Sequence, residues 1–345
     1  MISFAVDLRS DTKTRPTAGM RAAMAAASVG DEQLHEDPTV NELCARAAAL
    51  LGKPVALFLP SGTMCNLVSV LVHCRPGEEI IAADISHLIS SESAGAAAIA
   101  GTQIRSVRSD RGIFTPEAVR AALRPEKINV PVSRLLHVEQ TVNRGGGSVW
   151  TLETLAAVSA AAWEAGLKVH MDGARILNAV VATGTPADAF GALCDSLWLD
   201  LSKGLGCPVG AVLAGDEAFV AAARRWKFRL GGAMRQAGVI AAAGLYALDH
   251  HVERLAIDHD NARRLAECLS GVPQLRVRTP ETNIVFLDLI DDVLDATTLS
   301  RALAERGIGI DPVDAGTLRA VTHLDVDADG VYKAAEAIIA AVRKI

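Results

Sequence analysis

From about residue 39 the sequence alternates helix-period and strand-like segments, and that alternation narrows the fold more than any other feature. Strands separated by helices bury both faces of a sheet most readily as parallel strands joined by crossover helices, so an α/β architecture follows. VNELCARAAALLG reads as an amphipathic helix with Gly52 as its C-cap. VALFLP follows as a buried strand, and beyond the small-residue turn Ser61-Gly62-Thr63 the segment MCNLVSVLVHC reads as a helix. EIIAAD, SRLLHVE, LKVHMD, DSLWLDLS and VGAVLAG are further strands, each short, apolar and bounded by Gly, Pro or Asp, with helices such as TLETLAAVSAAAWEAG between them. Near residue 245 the rhythm changes. YALDHHVERLAIDHDNARRLAECLSG reads as one long charged helix, followed by the strand TNIVFLDL and the helix SRALAERG. The expectation is a large domain over residues 1–245 with a mainly parallel sheet, and a smaller α+β domain over residues 246–345.

A chain of 345 residues suits one large domain with a smaller companion. Half its residues are hydrophobic, enough for a sizeable core. No apolar run reaches the length of a membrane span, and MISFAVDLRSD lacks both a basic n-region and a long h-region, so the expected setting is cytoplasmic with no membrane partner. A formal net charge of −6 gives no general attraction to nucleic acid. The basic cluster Arg224, Arg225, Lys227 and Arg229 is accordingly read as a solvated helix face or a subunit contact. The six cysteines show no CxxC pairing and sit mostly in apolar stretches, which points to buried free thiols and to no metal site.

Chemistry concentrates at the ends of strands. Ser61-Gly62-Thr63 opens a helix, where unpaired N–H groups and the positive end of the dipole can hold a phosphate, although such turns also occur without a ligand. Asp172 ends one strand and Lys203 follows the next, and in an open α/β sheet both would face the crevice outside the strands' carboxyl ends. A lysine amine and a carboxylate in one crevice are what pyridoxal phosphate (PLP) requires. The amine forms an imine with the cofactor's aldehyde, and the carboxylate pairs with the ring nitrogen.

DLRSDTKTRPT (Asp7 to Thr17), HEDPTVN (His35 to Asn41), LPSGTMCN (Leu59 to Asn66), DISH (Asp84 to His87), HMDGAR (His170 to Arg175), LSKGLGCPVG (Leu201 to Gly210), GGAMRQAG (Gly231 to Gly238), TNIVFLDL and RAVTHLD (Arg319 to Asp325) occur in this order along the whole chain. In these motifs the sequence resembles the L-threonine aldolases, PLP enzymes of the aspartate-aminotransferase-like fold, fold type I. The resemblance implies Lys203 as the Schiff-base lysine and Asp172 as partner of the pyridinium nitrogen, in agreement with the chemical reading. It implies that Ser61, Gly62 and Thr63 hold the phosphate with help from Ser202 and from Arg235 of a neighbouring subunit, and that His87 stacks on the cofactor ring. Ser10, Arg175 and Arg319 would bind the substrate carboxylate, for which a planar guanidinium fork is suited. The implied reaction is retro-aldol cleavage of a β-hydroxy-α-amino acid to glycine and an aldehyde, with His87, Glu92 or a water between them as the base. The implied assembly is a homodimer or homotetramer with shared active sites. Other chemistry on the same cofactor, such as β-elimination, transamination or racemisation, is the alternative, followed by a non-catalytic PLP-binding paralogue.

The sequence departs from the family pattern in three places. Val142, in Glu139-Gln140-Thr141-Val142-Asn143, stands where a histidine commonly meets the substrate's β-hydroxyl, and Leu34 and Ser91 stand where tyrosines are common. Val142 is therefore expected in the substrate pocket, with relaxed choice at Cβ and tolerance of an apolar or aromatic β-substituent, as in phenylserine.

Overall fold

The computed structural model describes residues 4–290 and 295–343. After a short strand β1 (Val6–Asp7), the chain lays down β2 (Val55–Leu59), β3 (Glu79–Ala83), β4 (Gln103–Val107), β5 (Ser133–Glu139), β6 (Lys168–Asp172), β7 (Ser196–Asp200) and β8 (Ala211–Gly215). These seven form one sheet in the order β2-β8-β7-β6-β5-β3-β4. Neighbours from β7 to β4 pair in parallel, and only β8 runs against its neighbours β2 and β7. Every residue of β3, β7 and β8 is buried, which is why these strands read as unbroken apolar runs rather than as alternating ones. The edge strand β4, QIRSV, carries exposed and half-exposed polar residues and gave no apolar signal in the sequence.

Helix starts follow local chemistry. Asp37 accepts from Val40 N ahead of Pro38–Leu50, Ser61 from Met64 N ahead of Gly62–His73, and Thr151 from Thr154 N ahead of Leu152–Glu164. Each side-chain oxygen satisfies one of the free N–H groups of a first turn.

Past residue 270 come β9 (Leu275–Val277), β10 (Ile284–Leu289), β11 (Ile308–Gly309), β12 (Asp311–Pro312) and β13 (Thr317–Val321). Four of them form an antiparallel sheet in the order β12-β13-β10-β9, while β11 pairs with β1. Two features differ from the sequence reading. The apolar cores part later than residue 245: the first runs through Leu255, and the second takes up Ala262 onward together with Val6 and Leu8 from the N-terminal segment. The single long helix is two, Gly238–His250 and Leu255–Leu269. At the break His251 turns its Nδ1 to the carbonyl of Leu205, 2.6 Å away, a tertiary contact that helical periodicity cannot register.

The basic cluster is also only partly a solvated face. Lys227 is 1% exposed and ion-paired with Glu32, its pKa lowered by burial, because its position on the helix Glu217–Arg229 turns it inward. The six cysteines are unpaired, four of them buried. No helix among the described residues is long and apolar enough to cross a membrane.

Candidate active site

The carboxyl ends of β2, β3, β5, β6 and β7 open onto a cavity of about 540 Å³. This is the place an open α/β sheet offers a ligand. The cavity wall includes Ser10, Ser61, Gly62, Thr63, His87, Ser91, Glu92, Asp172, Arg175, Ser202, Lys203 and Arg319, so residues separated by hundreds of positions meet there.

The turn after β2 is shaped by close packing. Ser61 caps the helix Gly62–His73, and a Cβ on Gly62 would lie 2.2 Å from Cη2 of Trp198, so only glycine lets the helix start approach β7. At the ends of β6 and β7 sit the carboxylate and the amine. Asp172 is 1% exposed; its Oδ1 accepts from Ala174 N at 3.0 Å and its Oδ2 from Asn66 Nδ2 at 2.8 Å. Lys203 has φ +53°, a left-handed conformation uncommon outside glycine and a mark of constrained functional turns. Thr14 donates to its carbonyl, and its Nζ lies 2.9 Å from Asp200 Oδ2. Ser202 donates its hydroxyl to Asp200 Oδ1 at 2.7 Å, so its proton is already engaged.

His87 is fixed by two carboxylates. Its N–H donates to Glu139 Oε2 at 2.9 Å, and its Nδ1 lies 2.9 Å from Glu92 Oε1. The hydrogen bond to Glu92 raises the His87 pKa above its ordinary value, burial opposing. Glu139, 5% exposed, is pushed up to about 7 by burial and then by the nearby Asp172 charge. His87, Glu92 and Asp172 place ligand-type atoms within 4.8 Å of one another.

The two arginines differ. Arg175 grips Asp11 with Nε and Nη2, both at 2.7 Å. Burial works against both charges, but the pair outweighs it: Arg175 is raised and Asp11 is held well below the usual carboxylate range. Arg319 instead donates to the neutral oxygens of Asn143 and Arg9, and its buried Nε has no partner. Among the described residues no carboxylate lies within ion-pair distance of it, and burial, then the Arg175 charge, lower its pKa. Such a cation is ready to receive an anion.

One expectation needs correction. Val142 does not line the cavity: it is 1% exposed, belongs to the main core, and packs where a Cβ on Gly112 would lie 2.3 Å from its Cγ1. Its bridge to Ser148 holds it in the core, and the neighbouring Asn143 faces the cavity instead. Arg235 lies outside this chain's cavity, its exposed side chain paired with Asp31 at 2.7 Å. Leu34 is likewise exposed and outside the cavity, whereas Ser91 is part of the wall.

Sequence reasoning passed over Asn66, Asp11, Glu139, Asn143, Trp198 and Asp200. Glu139 and Asp200 carried a signal, a carboxylate closing an apolar strand; Asn66 carried a weaker one, a single amide inside an apolar helix.

The PLP fit rests on this geometry. A glycine-floored helix start with free N–H groups suits a phosphate, buried Asp172 suits a ring nitrogen, and Lys203 stands in the same cavity.

A family model described as beta-eliminating lyase matches residues 7–292. The chain is similar to low-specificity L-threonine aldolase 1 of Arabidopsis thaliana, 40% identical over 339 residues covering 96% of this chain and 95% of that one. It is similar to the low specificity L-threonine aldolase of Escherichia coli strain K12, 40% identical over 333 residues covering 96% and 97%. Among solved structures, threonine aldolase from Leishmania major has a TM-score of 0.83 at 21% identity, covering 96% of this chain and 98% of that one. A double mutant of Thermus thermophilus aspartate aminotransferase has a TM-score of 0.77 at 15% identity, covering 98% and 92%. These structural likenesses show the fold.

Proposed function

This chain belongs to the beta-eliminating lyase family and, within it, to the threonine aldolases, and from that premise we propose how its cavity works. The protein is a PLP-dependent lyase of fold type I that cleaves a β-hydroxy-α-amino acid, threonine in the first place, to glycine and an aldehyde. When bound, PLP supplies an acceptor for the electron pair left at Cα as the Cα–Cβ bond breaks. Ser61, Gly62 and Thr63 would hold its phosphate, Asp172 its ring nitrogen and Lys203 its aldehyde carbon. Ser202, whose hydroxyl proton is engaged by Asp200, would contribute its backbone or re-orient.

The remaining work falls to side chains. Arg319 receives the substrate carboxylate, and the observation that carries this is its buried, partnerless Nε beside a cavity. Arg175 assists through Nη1, the nitrogen that its Asp11 pair leaves uncommitted, while Ser10 closes the same side. His87 takes the β-hydroxyl proton through Nε2, since Glu92 occupies Nδ1 and stabilises the imidazolium that results. Lys203 would supply the amine that holds the cofactor.

Because Arg235 is exposed here, we place it in the phosphate site of a neighbouring copy, in a homodimer or homotetramer. Relaxed choice at Cβ is supported by the similarity to low-specificity enzymes, and buried Val142 is not its cause. The test is aldehyde release from threonine, allo-threonine and phenylserine. Release from both threonine epimers is the expected result, and keto acid with ammonia in place of aldehyde would overturn the reading.

A further inference from the structure

Asn66 stands inside the apolar helix Gly62–His73 and is fully buried. Its amide meets two carboxylates and an indole, and His170 Nε2 lies 3.4 Å from its oxygen. Nδ2 donates to Glu92 Oε1 at 2.6 Å and to Asp172 Oδ2 at 2.8 Å, while Oδ1 lies 2.7 Å from Trp198 Nε1. The orientation of an amide is read from its partners. Here they leave no choice: an indole N–H only donates, so oxygen must face Trp198 and the NH2 must face the two carboxylates.

Those carboxylates need it. Glu92 and Asp172 are 7% and 1% exposed, and their oxygens lie within 4.8 Å of each other. Like charges at that separation oppose one another, more strongly in a buried site than in water. Among the described ion pairs His87 is the only cationic partner of Glu92, and Asp172 has none. The two hydrogens of the Asn66 amide, one to each carboxylate, are the dipoles that let both remain acceptors side by side.

We infer that Asn66 is a positioning residue that ties the carboxylate assigned to the cofactor's ring nitrogen to the carboxylate that holds His87. The inference rests on the functional reading above and adds that Asp172 and the His87–Glu92 pair act as one hydrogen-bonded unit. Loss of the amide disturbs cofactor retention because Asp172 and Glu92 then repel without a mediator. Where Glu92 carries no charge, loss of the amide matters less.

The experiment is a double-mutant cycle on holoenzyme, reading the dissociation constant of PLP from the visible band of the lysine-bound cofactor. Asn66→Leu should weaken retention about tenfold or more, as expected for lost hydrogen bonds to charged groups. The same-shaped Asn66→Asp, which keeps an oxygen for Trp198 and adds a third carboxylate, should weaken it further, and it decides the matter if the leucine variant does not fold. In the Glu92→Gln background both penalties should shrink markedly. Penalties equal in the two backgrounds within a factor of about two, the additive result, would reduce Asn66 to packing and overturn the inference; so would unchanged retention in both variants. A wild-type protein that never shows the band would instead overturn the cofactor reading itself.

Discussion

Glu92→Gln changes one charge next to His87 while keeping side-chain shape, and its effect on the pH profile follows from the geometry. In the wild type, the carboxylate 2.9 Å from His87 Nδ1 favours the imidazolium and raises its pKa. A hydrogen bond to a charged group contributes about 1.5–3 kcal/mol and a neutral one about 0.5–1.5 kcal/mol, so the swap removes roughly 1–1.5 kcal/mol. The His87 side chain is 33% exposed, and solvent screening favours the lower end. Losing that stabilisation of the imidazolium lowers the His87 pKa. As a base, His87 works in its neutral form, so kcat/KM rises with pH through this pKa, and the rising limb of the variant moves to lower pH. The assay is glycine formation across the pH range, with kcat at the plateau expected to fall by up to about tenfold as the ring's anchor weakens to a neutral hydrogen bond, within what a positioned base contributes. A limb that stays in place would assign it to Glu139, whose value of about 7 is set by burial, Asp172 and His87 rather than by Glu92. A limb moving to higher pH would refute the electrostatic reasoning altogether.

Arg319→Ala should raise KM for amino-acid substrates by roughly 30- to 100-fold, the loss of a charge-assisted pair, with a small effect on PLP retention; an unchanged KM would move the carboxylate grip to Arg175. Val142→His inserts a polar ring into a close-packed core and should lower stability by about 1–3 kcal/mol without reordering substrates. A well-folded variant with a switched epimer preference would return residue 142 to the pocket. Light scattering should find a dimer or tetramer, and a fully active monomer would remove Arg235 of the partner subunit from the phosphate site.

The sheet was legible because its central strands are buried on both faces and announce themselves as apolar runs; β4 was not, because an edge strand exposes the polar residues that hide it. The break at His251 was illegible for another reason, since the hydrogen bond to Leu205 joins segments that share no local pattern. In the site, Asp172 and Lys203 could be read from strand-end position and residue chemistry. Arg175 and Arg319 looked alike in sequence, and only the structure shows one committed to Asp11 and the other without a carboxylate. Val142 was misplaced because a motif position fixes the backbone neighbourhood but not the direction of a side chain, and here Gly112 leaves the space that draws it into the core.

The most direct test of the central claim measures glycine and aldehyde together, from one β-hydroxy-α-amino acid, in wild-type protein and in Lys203→Ala. Wild-type protein should yield the two products in equal amounts, and a Lys203→Ala protein that remains folded should yield neither product and show no lysine-bound cofactor band. Near-native product formation by that variant would contradict the claim.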